Sequence, residues 1–84
     1  MVRTTGLVQR IYIDANAHNA CVFIGPTPAS VELLFVPRRD TGPAHTSAFL
    51  TSMLDALGQA LVSQHEVTVQ HPENDGEIYS VELR

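Results

Sequence analysis

The stretch TSAFLTSMLDALGQALVS, Thr46 to Ser63, repeats apolar residues every three or four positions: Phe49, Leu50, Met53, Leu54, Leu57, Leu61 and Val62. That spacing keeps them on one side of a 3.6-residue turn, and no proline interrupts it, so it predicts one amphipathic helix of roughly 16–18 residues. Thr46 or Ser47 can cap its start through a hydroxyl that accepts a backbone N–H. Gly58 sits inside it at a cost of ~1 kcal/mol relative to alanine, so the last turn is expected to fray. On both sides of this segment the period is different, and that contrast decides the fold.

Upstream, GLVQRIYI (6–13) is rich in β-branched and aromatic residues and roughly alternates, with Leu7, Ile11 and Ile13 on one face and Val8 and Tyr12 on the other. DANAHN (14–19) supplies the Asp and Asn of a turn. A second strand follows at 20–25, and GPTPAS (25–30) closes it with two prolines. VELLFVP (31–37) is a third strand, with Val31, Leu33 and Phe35 assigned inward and Glu32, Leu34 and Val36 outward. RRDTGP (38–43) is a loop. Downstream, EVTVQ (66–70) alternates again, HPENDG (71–76) is a loop, and EIYSVELR (77–84) forms a last strand. The expected core is Leu7, Ile11, Ile13, Val22, Ile24, Val31, Leu33, Phe35, Leu50, Leu54, Leu57, Leu61, Val67, Val69, Tyr79, Val81 and Leu83.

The 84 residues make one domain, 1–84, with room for a single modest core. The order β-β-β-α-β-β, mainly β with one helix between the third and fourth of five short strands, is the layout of an OB-fold-like barrel. An open antiparallel sheet with the helix packed across one face is the alternative. A small barrel fills its interior with one face of each strand and turns the other to water. Yet Val8, Tyr12, Cys21, Phe23, Leu34 and Val36 are left over on three neighbouring strands, and a contiguous apolar patch marks an interface. These six are therefore the expected contacts of a homo-oligomer.

The chain resembles the B subunits of the Shiga-toxin type, small OB-fold chains that assemble as five-fold rings and bind glycans. The resemblance is carried by GLV and IYIDANAHN at the first strand and hairpin, ELLFVPRR at the third strand, the helix SAFLTSMLDALGQAL, EVTV, and the closing GEIYSVELR. That family has a disulfide, and a tryptophan after the third strand; this chain has one cysteine, no tryptophan, and Arg39 at that place. The resemblance implies a ring, a pentamer, and sugar contacts in the regions of Asp14 or Asn16, Phe35, Arg38 and Asn74.

All five basic residues are arginines and nine carboxylates outnumber them, for a formal charge of −4. Phosphate backbones are bound mainly through Lys and Arg, so nucleic acid and anionic membranes are poor general partners. With one cysteine, an intrachain disulfide cannot form, and the start lacks a signal-peptide apolar stretch, which tilts the compartment toward the cytoplasm; a processed, secreted chain would read the same. No apolar run approaches the ~20 residues of a membrane span.

No residue pattern calls for a metal, a cofactor or a catalytic role. His65 and His71 flank one strand roughly 20 Å apart, too far for joint coordination, and the four histidines read as surface residues. PENDGE (72–77) lacks the length and terminal ligand of a calcium loop and reads as a turn. Cys21 lies among apolar neighbours as a structural thiol. No phosphate loop or nucleophile elbow occurs, so an enzyme is not expected. Arg38 and Arg39 can clamp a carboxylate or phosphate, or pair with Asp40 in a solvated loop. The functional expectation is a ring-forming binding module touching a glycan or protein through its loops, by way of Asp14, Asn16, Phe35, Arg38, Arg39 and Asn74. The alternatives are a single-stranded nucleic-acid module, which needs aromatics beside basic residues on the second and third strands, and a structural subunit without a ligand.

Overall fold

The computed structural model describes residues 1–15, 18–37 and 46–84. The elements run β1 (Val2–Tyr12), β2 (Asn19–Thr27), β3 (Ser30–Pro37), α1 (Ser47–Ser63), β4 (Glu66–His71) and β5 (Ser80–Leu83). The strands pair antiparallel as one sheet in the order β3-β2-β1-β4-β5, with α1 packed against one face. Mainly β with one helix, as expected, the chain forms a five-stranded sheet that the pairing does not close into a barrel, and its order leaves β3 and β5 as edges. β3 meets the segment just before β5 at a parallel bridge, Phe35 to Glu77, where Phe35 N–H donates to the Gly76 carbonyl and Ile78 N–H to the Phe35 carbonyl, each at 2.9 Å.

The helix forms where its periodicity places it. Thr46 Oγ1 accepts from Phe49 N–H at 3.3 Å, the expected N-cap. The far end stays helical to Ser63, past Gly58, and turns out through Gln64 in a left-handed conformation (φ 58°). There the Ala60 carbonyl takes both the Gln64 and the His65 N–H, which satisfies an end-of-helix acceptor and holds the turn expected to fray. Leu50, Met53, Leu57 and Ala60 form the buried stripe; Met53 and Ala60 were not among the expected core. Leu54 and Leu61 pack at its margin, half-buried.

On β2, Ala20, Val22 and Ile24 face the helix and are fully buried. On β3 the assignment is reversed. Leu34 and Val36 are in the core, whereas Leu33 is 57% exposed and Val31 and Phe35 are half-buried on the opposite face. The register shows why: Val22 pairs with Leu34 and Ala20 with Val36, and directly paired residues share a face. β1 changes face midway. Its register with β2 slips between Val8 and Arg10, so Gln9 is an extra residue, and its side-chain amide donates to the Gly25 carbonyl at 2.9 Å. Val8, opposite Ile24, and Ile11, opposite Val22, therefore both face the helix, although three residues apart. Of the six residues expected at an oligomer contact, Val8, Leu34 and Val36 are thus core residues. Ile13 lies beyond the end of β1, and Ile13 and Leu83 are largely exposed; Ile78, missing from the expected core, is fully buried.

Candidate binding surface

The sheet face turned away from α1 carries the residues left by these reversals. Cross-strand pairs set them in two rows: Arg10, Phe23 and Leu33, then Tyr12, Cys21 and Phe35. The Arg10 guanidinium lies over the ring of Phe23 at 5.3 Å and of Tyr12 at 5.6 Å from the centroids. A cation over an aromatic face is attracted by the ring quadrupole, so the only charge in the two rows is held flat against apolar surface. Beside it, Gln9, Arg10, Phe23, Pro28 and Val31 border a depression of about 350 Å³. Tyr12 is 44% exposed and donates from its hydroxyl to Asp14 at 2.9 Å.

That second row leads into the loops. Asp14 hangs from Tyr12 at one end; at the other, Phe35 is bonded to Gly76 and Ile78, two and four residues beyond the turn position of Asn74. Asp14 and Phe35, expected on a loop and on the third strand, thus stand at the two ends of this row, and Phe35 holds the segment that follows Asn74. Asp75 shapes the last loop by accepting Glu77 N–H on its carboxylate at 3.1 Å. Asn16, Arg38 and Arg39, the other expected ligand residues, lie outside the described residues, as do Asp40 and His45.

A second group of side chains sits on the helix-side face where α1 does not reach. Glu32 shares its face with Leu34 and Val36, and its carboxylate accepts from Thr4 Oγ1 at 3.1 and 3.2 Å. Its Oε2 is 3.1 Å from His71 Nε2. Thr4 Oγ1 is 3.0 Å from the same nitrogen, so three polar groups from β1, β3 and β4 meet at one corner. The other ring nitrogen, Nδ1, faces the carbonyls of Pro72 at 2.8 Å and Asp75 at 3.0 Å. His71 is only 6% exposed, so the reading of it as a surface histidine is corrected. Its own loop supplies Pro72 and Asp75, the neighbouring β1 supplies Thr4, and the approach of β3 adds Glu32.

Tyr79, just before β5, has a displaced protonation equilibrium. The neighbouring Glu77 carboxylate raises its phenol above the ordinary tyrosine range, helped by desolvation and by Asp75. Cys21 is a half-buried thiol in the second row, as its apolar neighbours suggest. Among the described residues, no helix is long and apolar enough to cross a membrane. Compared with known proteins, the chain matches no protein-family profile, no curated protein and no solved structure, so its function is read from this geometry.

Proposed function

We propose that this chain is a homo-oligomeric binding module that meets further copies through the outer face of β1–β3 and presents its loops to a glycan or a protein. The observation that carries the reading is the outer face itself, where Tyr12, Cys21, Phe23, Val31, Leu33 and Phe35 are contiguous and exposed or half-exposed. A contiguous apolar patch marks an interface, and burying it against another copy removes it from water. The Arg10 guanidinium suits that role because stacking on two rings lowers what its burial costs. β3 is also an edge strand: Phe35 turns its backbone groups away from β2, and by the two-residue period so does Leu33. The groups of Phe35 are taken by Gly76 and Ile78, which leaves the stretch before it as the part of this edge that can pair with another chain.

The finer fold belongs to the same proposal. The bridge from Phe35 to Glu77 and the contact of Glu32 with His71 support a partly open, OB-fold-like barrel, and a ring of five copies follows from the Shiga-toxin B-subunit resemblance. In such a ring Asp14, Phe35 and Asn74 are repeated, together with Asn16, Arg38 and Arg39. Repetition raises the apparent affinity for a multivalent glycan surface by about 10²–10⁴ over a single weak site. Native mass spectrometry tests the assembly: a symmetric oligomer is expected, with five copies the first expectation and two the next. A monomer at the highest soluble concentration overturns it.

A second reading is favoured by one specific observation. Phe23 and Phe35, which strand-by-strand parity sets on opposite faces, share the outer face with Tyr12 and Arg10 through the pairs Cys21–Phe35 and Arg10–Phe23. Aromatic rings beside a guanidinium are a stacking platform for single-stranded nucleic acid. Phosphate contacts weaken steeply with salt, so binding of an oligonucleotide that falls across a salt series, by a monomer, would select this reading over the first.

A further inference from the structure

We infer that Arg10, with the depression beside it, is a binding site for a small organic carboxylate that carries an apolar body. The site begins with the extra residue in β1. Val8 lies opposite Ile24, and strict alternation from there would set Arg10 opposite Val22, on the face that α1 covers. The bulge at Gln9 sets Arg10 opposite Phe23 instead, on the outer face. The Gln9 side chain holds that bulge by donating to the Gly25 carbonyl at 2.9 Å. Gly25 in turn leaves no room for a Cβ under the Ser30 carbonyl oxygen and the Cα of Val31, so β3 returns close against β2 and brings Val31 to the same place.

Arginine stays charged in proteins and presents five N–H donors in one plane. The Arg10 guanidinium lies over Phe23 and Tyr12, at 5.3 and 5.6 Å from their centroids, which orients that plane and leaves the donors at its rim. Among the described residues no group accepts from it and no carboxylate pairs with it. A fork oriented in this way matches a carboxylate through two parallel hydrogen bonds. The walls say what the carboxylate is attached to. Phe23, Pro28 and Val31 are apolar, Gln9 and Arg10 supply the polar groups, and a volume of about 350 Å³ stands at the small end of ligand sites. A monoanion bearing one ring or a short aliphatic chain fills such a place. Phosphate-rich ligands fit it worse, because one arginine lines the depression and the chain carries a formal charge of −4.

The test is a titration of the full chain with phenylacetate, beside phenylacetamide and acetate, followed through the backbone amide resonances. Phenylacetate should bind saturably, with a dissociation constant on the order of 1 mM, and should shift Gln9, Arg10, Phe23 and Val31 most. The amide lacks the charge and acetate lacks the ring, so each should bind more weakly by about tenfold or more. Arg10→Gln should erase the preference for the acid over its amide, and Arg3→Gln, outside the depression, should keep it. Arg10, Phe23 and Val31 also belong to the face proposed to meet other copies. Occupancy is therefore scored per chain and copy number is read separately by native mass spectrometry, so that each reading can fail alone. Absence of saturable binding, equal binding of acid and amide by the wild-type chain, or shifts centred on other residues overturn the inference. An acid preference that survives Arg10→Gln overturns it as well.

Discussion

Glu32 is the residue that misdirects a reading of β3. In VELLFVP a glutamate marks its own face as the solvent face, and alternation then sends Leu34 and Val36 outward with it. The glutamate is instead satisfied on the helix-side face by Thr4 and His71, so a charged group and two core residues share a parity. The adjacent leucines test this directly. Leu34→Ala empties a fully buried position and should cost about 2–5 kcal/mol in a denaturant titration, whereas Leu33→Ala should change monomer stability by about 0.5 kcal/mol or less. Equal losses would restore the inward assignment of Leu33. Tyr79 offers a second test at this scale. Its phenol is raised in the folded chain, mainly by Glu77, so the folded state keeps its proton where the unfolded chain releases it. The associated stability is complete below the unfolded value near 10 and is lost as pH rises through the higher folded value. In an ultraviolet titration one of the two tyrosines should ionise above its ordinary range, and Glu77→Gln should bring it down.

At the scale of elements, two glycines separate intrinsic propensity from tertiary demand. Gly58 lies in α1 with open space where a Cβ would go, so Gly58→Ala should stabilise the chain by ~0.5–1 kcal/mol, read as a shift in denaturation midpoint at unchanged slope. Gly25 is the opposite case. A Cβ there would overlap the Ser30 carbonyl oxygen and press on the Cα of Val31, backbone atoms that cannot swing aside. Gly25→Ala should therefore leave little folded chain by circular dichroism. That crowding occurs beside the second register shift, between Ile24 and Thr27, where β2 runs on through Pro26 to Thr27 before β3 returns from Ser30. The bulge at Gln9 has the same standing. Strict alternation puts Val8 and Ile11 on opposite faces, and only the extra residue reconciles them.

For the whole molecule, the two faces of the sheet make different demands. One is covered by α1 and forms the core; the other ends in aromatic and aliphatic side chains that the proposed assembly covers. If copies associate through it, stability depends on protein concentration by mass action. The denaturation midpoint should rise with concentration, and Leu33→Glu should abolish that dependence while leaving a folded monomer. A concentration-independent midpoint in the wild-type chain would turn attention to the stacking reading of the same face.

The element order, the helix with its Thr46 cap, and the location of five strands were legible in the chain itself, because hydrophobic period and capping chemistry are local. So was the presence of a surplus apolar face on the first three strands, and Tyr12, Cys21 and Phe23 do lie on it. Which residues make up the rest of that face was not legible. It was decided by the Gln9 bulge, by the β2–β3 register, and by the meeting of Glu32 with His71 across β1 and β2. Each of these is a contact between positions far apart in the chain, and a two-residue alternation read along one strand holds no information about which neighbour it will face.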